Sequence, residues 1–572
     1  MIAKVLPDVP AIDRVFDYLV PSEMAGGVGV GTMVRVTLHG RRVGGWLIGL
    51  ADAPETDRAL QPIAKVRGMG PPPDLVDLTE WAAWRWAGPR ATFLRTASPT
   101  TAVRGLPARA DAVPHATAPV ADELAAEAFA SSRTLLRLPP ARDPFPVVFE
   151  AARRGSALVL TPSLNQAAHI ALRLRRAGFA VAQHPRDWAA AAAGGCTVVG
   201  ARAAAWAPLV DPAVVVVVDE HDEAFQEERA PTWNARDVAM ERARQAGVPC
   251  VLTSPCPSLE ALAAARLLTP SRAEERAGWP PVEVVDRRNE PPGLGLFSER
   301  LVTVVREAAK VVCVLNRKGR ARLMACASCG ELARCEVCQG PVEQSAEGTL
   351  QCRRCGHERP SVCLACGATR FKVLRVGVSK AREDLERLAG RPVVEVTADA
   401  PLAAADAAVV VGTEAVLHRV PRADAVAFLD FDQELLAPRY RAGEEALALL
   451  ARAARLVGGR REGGRLLVQT RMPNHESLDA AVHADPGRFA LVESARRAAL
   501  RFPPDTALAE ISGEAAAAFV AELGSDGVDV MGPSGSGRWL ARAADHRHLC
   551  DRLAAVPRPG GRLRIAVDPV RI

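Results

Sequence analysis

Eight of the 13 cysteines fall between Cys326 and Cys366. They form four pairs: Cys326-x2-Cys329, Cys335-x2-Cys338, Cys352-x2-Cys355 and Cys363-x2-Cys366. Each pair is a knuckle that offers two thiolates to one tetrahedral ion, and two knuckles complete a four-thiolate site. Eight thiolates therefore predict two structural Zn²⁺ ions. A redox role would not need four copies, and iron–sulfur clusters use other spacings. Spacing alone leaves three pairings of the knuckles open. The hairpin-like stretch at Glu347-Gly348 suits one site made of Cys335, Cys338, Cys352 and Cys355, with Cys326, Cys329, Cys363 and Cys366 closing the other. From 310 to 382 there are 14 Lys and Arg against five Glu and no Asp. That excess points to a phosphate backbone or a docking protein as partner. Cys196 and Cys313 sit in apolar strand-like runs and read as core.

Several elements must position these residues. Val214 to Val218 is a buried strand that ends in Asp219-Glu220-His221-Asp222. It belongs to a set with Ala157 to Pro162, Cys196 to Gly200 and Pro249 to Ser254, separated by helical stretches such as Leu164 to Ala177. A second such set holds Val393 to Val396, Ala408 to Gly412, Ala425 to Asp430 and Arg465 to Thr470. Apolar strands alternating with helices imply parallel sheets covered on both faces. The fold class is thus multidomain α/β. A β-rich domain spans 1–108 and a linker 109–130. Lobe 1 spans 131–312, the cysteine module 313–370, lobe 2 371–502, and a small α+β unit 503–572. The chain has 572 residues, 49% hydrophobic and 24% charged, which excludes a disordered or fibrous protein. Its longest aliphatic run is far short of a membrane span, and no signal peptide is visible at Met1 to Asp8. A cytoplasmic protein with no membrane partner is expected. Only six of the 72 basic residues are lysines, and none lies between 66 and 309.

The order of these pieces resembles the PriA replication restart family (primosomal protein N′). The resemblance rests on Phe16-Asp17-Tyr18, the DExH-like Val218 to Asp222, Trp233-Asn234-Ala235-Arg236-Asp237 and Thr253-Ser254-Pro255. It rests further on the four knuckles, Val411 to Glu414, Leu429 to Asp432 and the terminal Val567-Asp568-Pro569. It covers nearly the whole chain and implies two RecA-like lobes of a superfamily-2 DNA helicase. Such a protein binds stalled forks and 3′ ends, and its partners are primosome and replisome proteins such as the replicative helicase or its loader and single-stranded DNA-binding protein. The resemblance makes Phe16, Asp17 and Tyr18, with Arg35 facing them, a pocket for a 3′ end. It makes Trp233 and Arg236 DNA contacts.

The departures decide what is kept. The implied P-loop falls on Leu138 to Phe145, where no GxxxxGK[ST] stands. Four prolines between 139 and 146 remove N–H groups that would cradle phosphates. Pro144 and Phe145 occupy the Lys and Ser/Thr positions. In the DExH-like box the Mg²⁺ aspartate position falls on Val218, or on Asp219 after a shift of one, followed by Glu220. Leu456 and Gly459 stand where two arginine fingers belong, with Arg455 and Arg460 adjacent. The segment 109–130 is too short for a winged-helix module. The expectation is a degenerate helicase frame without ATPase activity or ATP/Mg²⁺, a monomer that binds branched DNA and recruits restart partners. The alternatives are an active ATP-dependent 3′→5′ helicase and a zinc-ribbon protein adaptor.

Overall fold

The computed structural model describes residues 1–9, 12–110, 122–288, 296–315, 324–345, 348–352, 355–373, 378–396, 404, 406–524 and 526–571. The alternating strands Met33–Leu38 and Arg41–Ala51 pair antiparallel across His39-Gly40. Both turn residues are left-handed, at φ 49° and 76°, the geometry a two-residue hairpin requires. Ile2–Pro7, Phe16–Leu19 and Lys65–Gly68 complete a five-stranded sheet. Its inner face is filled by Val5, Tyr18, Val34, Val36 and Leu47.

The apolar runs build the two parallel sheets. The first has seven strands with Pro212–Val217 at its centre, flanked by Cys250–Ser254 and Ser156–Leu160. The second has six, ordered Val282–Asp286, Arg465–Thr470, Ala425–Phe428, Val311–Val314, Val409–Gly412 and Val394–Val396. Two of these, Val282–Asp286 and Val311–Val314, lie in or across the boundary of the stretch expected to be lobe 1. Val311–Val314 pairs with Val409–Gly412 on one side and Ala425–Phe428 on the other. A four-residue apolar run carries no label for its sheet; long-range pairing assigns it. The cysteine module is therefore an insertion within the second lobe. It is built from small antiparallel sheets such as Val342–Gln344 with Leu350–Cys352.

The C-terminal unit is a four-stranded antiparallel sheet with helices Ala516–Leu523 and His546–Ala555. One apolar core runs through Leu78, Phe93, Trp206 and Phe519, joining the helices Pro73–Arg85 and Arg90–Ala97 to the first lobe and the C-terminal sheet. Trp81 packs edge-on to Trp86 at 5.2 Å, a packing contact. Among the described residues no helix is long and apolar enough to cross a membrane.

Candidate functional site

The four knuckles share one local geometry. In each, the N–H four residues after the first cysteine donates to that cysteine's carbonyl: Gly330 to Cys326 and Gln339 to Cys335 at 3.0 Å, Gly356 to Cys352 at 3.0 Å, Gly367 to Cys363 at 2.9 Å. In each, the first cysteine's N–H donates to the carbonyl one residue further on, as from Cys326 to Glu331 at 2.8 Å. These turns aim both thiols to one side. The outer knuckles meet, with Cys326 Sγ 3.6 Å from Cys366 Sγ and Cys329 Sγ 3.6 Å from Cys363 Sγ. The inner ones meet likewise, Cys335 with Cys355 and Cys338 with Cys352, each at 3.5 Å. In both groups all four sulfurs lie within 4.8 Å of one another. A tetrahedral ion with metal–sulfur bonds of about 2.3 Å separates its sulfurs by about 3.8 Å, so each group fits one ion.

The residues that the resemblance assigns to nucleotide are paired within the chain. Arg133–Arg137 leads through a proline-rich turn into the helix Phe145–Arg154, whose first residues would face a phosphate. There the Phe145 N–H donates 2.9 Å to the Asp143 carboxylate, which is also held by Arg173 at 2.6 and 3.1 Å. Burial works against this charge, yet Arg173 and the Phe145 N–H hold the Asp143 carboxyl below its ordinary range. Phe145 is buried, with the Arg173 guanidinium 3.7 Å above its ring. Val218 is wholly buried in the core. Asp219, left-handed at φ 56°, is 4% exposed and accepts both nitrogens of Arg455 from the second lobe at 2.7 and 2.9 Å. Burial disfavours its charge, and Arg455 outweighs that, keeping the carboxyl well below the usual range. Arg455 Nε also reaches the Pro140 carbonyl at 3.2 Å. Glu220 is pinned by Ser258 and by Arg236 at 3.2 Å. Leu456 is buried in the core of the second lobe, and Gly459 packs against the Ala277 carbonyl. Sequence reading placed Arg455 only beside the site and missed Asp143. The signal was present in Arg452 and Arg455, spaced i,i+3 on one helix face. Arg452 pairs with Asp222 at 2.6 Å.

Three residues expected at DNA are buried within the chain. Trp233 is 5% exposed and packs edge-on to Trp206. Arg236 is 5% exposed because Asn234 caps its helix, and the first turn points the guanidinium back at Glu220, Asp237 and Ser258. Tyr18 lies in the β-domain core with its hydroxyl donating 3.0 Å to the Thr37 carbonyl. Asp17 sits opposite Lys4 in the register of the sheet and pairs with it at 3.1 Å, while the Glu55 N–H donates to it at 2.7 Å. Phe16 is half-buried beside Arg14. Arg35 is exposed, directly opposite exposed Lys65 on the neighbouring strand.

Residues 4–99 match the PriA 3′DNA-binding domain (3′BD). That domain stands ahead of two parallel-sheet lobes and two four-cysteine groups, which makes the chain a multidomain α/β protein with a DNA-binding domain at its N-terminal end. The probable replication restart protein PriA of Mycobacterium tuberculosis (strain ATCC 25618 / H37Rv) is 29% identical, over 89% of this chain and 86% of its own length. That of Mycobacterium leprae is 29% identical, over 92% and 90%. The replication restart protein PriA of Treponema pallidum is 31% identical, over 59% and 57%. The chain is thus similar to PriA replication restart proteins over most of its length. Among solved structures, S. cerevisiae Dbp5 overlaps 67% of this chain and 96% of its own at 11% identity and a TM-score of 0.32, too loosely to add to this.

Proposed function

We propose that this chain binds branched replication forks and their 3′ ends and recruits the replisome-reloading machinery without hydrolysing ATP. One observation carries the reading: the residues implied for nucleotide are paired within the chain. The Asp143 carboxylate at the helix N-terminus repels the phosphate that a P-loop would attract there. The Asp219–Arg455 pair has to break before Asp219 could hold Mg²⁺. No lysine lies between residues 66 and 309 to neutralise phosphates.

On the β-domain, the like charges of Arg35 and Lys65 face each other across two strands, an arrangement that costs stability until an anion covers it. A DNA phosphate backbone is the anion this reading supplies, and Phe16 and Asp17 lie on the same sheet for a 3′ end. Each four-thiolate group takes Zn²⁺ as a closed structural site. The basic surroundings of the zinc module serve docking of a replicative helicase, its loader or single-stranded DNA-binding protein. A reducing cytoplasm keeps the thiols available for metal. The test is ATP hydrolysis by metal-replete protein with saturating forked DNA, beside the Asp219→Ala/Glu220→Ala double variant. Flat rates in both with fork binding retained are expected. Wild-type turnover of about one per second that the double variant loses would make the lobes a working motor.

A further inference from the structure

We propose that the cavity between the N-terminal β-domain and the first lobe binds a ligand carrying one carboxylate on an apolar body, with Arg242 holding the carboxylate. The cavity has a volume of about 890 Å³, and Asp219 is not among its lining residues. Its walls include the segments 29–32 and 68–73, with Trp188, Leu209 and Ala192. These walls are preformed. A Cβ on Gly31, left-handed at φ 91°, would lie 1.8 Å from the Pro71 carbonyl oxygen, so the two segments touch backbone to backbone. Three consecutive prolines, Pro71 to Pro73, then stiffen the rim. Arg67, Arg104, Asp74, Asp211 and Gln245 also line it, and a largely apolar concave space of this size with a few polar groups is the usual form of a small-ligand site.

Arg242 supplies the buried cation. It is 8% exposed. Nη1 donates to the carbonyls of Ala205 and Ala207 at 3.0 and 2.9 Å. Nη2 and Nε have no acceptor among the described residues, and no carboxylate there forms an ion pair with the guanidinium. Burial lowers its pKa to about 10, so it stays charged at neutral pH. Nearby His184 adds no second positive charge, since burial and the Arg242 charge push its pKa down to about 4. Asp211, also on the rim, is taken by Arg109 at 3.0 Å. Asp74 is exposed to solvent and lies beyond pairing distance. A buried cation with a free donor edge and no counter-ion suits a planar carboxylate, which accepts two parallel hydrogen bonds from it. A free apolar carboxylic acid and the chain-terminal carboxylate of an apolar peptide share this chemistry.

The experiment is a fluorescence titration of the full, metal-replete chain with 1-pyrenebutyrate and with uncharged 1-pyrenebutanol. The carboxylate probe is expected to bind about tenfold tighter. Arg242→Gln should abolish that preference, and Ala192→Phe, which fills the cavity and leaves Arg242 in place, should weaken the carboxylate probe by a similar factor. If Arg242→Gln does not fold, the Ala192→Phe arm decides. Equal binding of the two probes, no binding of either, or a titration unchanged in Ala192→Phe overturns the proposal. Competition assigns the source. Displacement by acetyl-Leu-Phe with a free carboxylate but not by its amide indicates a peptide terminus, and displacement by octanoate alone a free acid.

Discussion

Removing Arg455 leaves the Asp219 carboxylate buried without its counter-charge. Breaking a buried pair in this way costs several kcal/mol, but the Arg455 side chain is 39% exposed and solvent screens part of the loss. Arg455→Ala should therefore destabilise by about 2 kcal/mol in urea unfolding, and adding Asp219→Asn should recover part of it. Asp568 is held in the same way. Burial opposes its charge, while His546 at 2.9 Å and Arg85 at 2.7 Å keep its carboxyl well below the usual range. A carboxyl whose folded pKa is depressed contributes stability that is complete above its unfolded value of about 4 and is lost as pH falls toward the folded value. Thermal midpoints should thus fall steadily below about pH 4, and Asp568→Asn should flatten part of that acid limb while lowering stability at pH 7.

Each knuckle turns on the residue after its second cysteine, which adopts a left-handed backbone. Three of the four positions are glycine, and the fourth is Gln339 at φ 56°. A side chain in that conformation costs about 1 kcal/mol. Gln339→Gly should accordingly raise the stability of the inner metal site, read as slower metal release to a chelator, provided the added unfolded-chain entropy does not cancel it. Cys335→Ser and Cys363→Ser should each remove one of two Zn²⁺ ions by elemental analysis, because each breaks a different group of four. Retention of both ions by either variant would refute the grouping. The knuckles were legible in sequence because the turn hydrogen bonds that shape them span five residues or fewer. The DExH-like box was legible as a strand end but not as an ion-pair partner, since Arg455 lies 236 residues away.

The lobes are joined by a buried charge network. Glu260 of the first lobe accepts from Arg441 at 2.6 Å and from Arg497 at 3.4 Å, and Arg497 also holds Glu444 at 2.7 Å and Glu493 at 3.0 Å. Arg497 is 1% exposed, so Arg497→Ala takes one buried partner from each of three carboxylates, of which Glu260 keeps Arg441 and Glu493 keeps Arg496, and should cost about 3 kcal/mol. Because the network crosses between lobes, the loss should also split a single unfolding transition into two, visible by calorimetry. The helix Pro486–Leu500 that carries Arg497 turns Glu493 and Arg497 inward and leaves Leu491 76% exposed. Its large apolar residues are split between faces, Phe489 inward and Leu491 outward, so this helix's orientation could not be read from periodicity.

Sequence by itself determined the features whose causes are local: four cysteine knuckles, buried β-runs that demand parallel sheets, and a proline-rich turn short of backbone N–H groups. Tertiary structure decided which elements meet. It placed Val282–Asp286 and Val311–Val314 in the second sheet, brought outer knuckle to outer knuckle, and buried Tyr18, Trp233 and Arg236. It also chose Arg455 over Leu456 to face Asp219. Neighbouring helical residues point about 100° apart, so one position separates a core side chain from one in the cleft. Only the packed orientation of Ala442–Val457 against the first lobe settles which of the two reaches across.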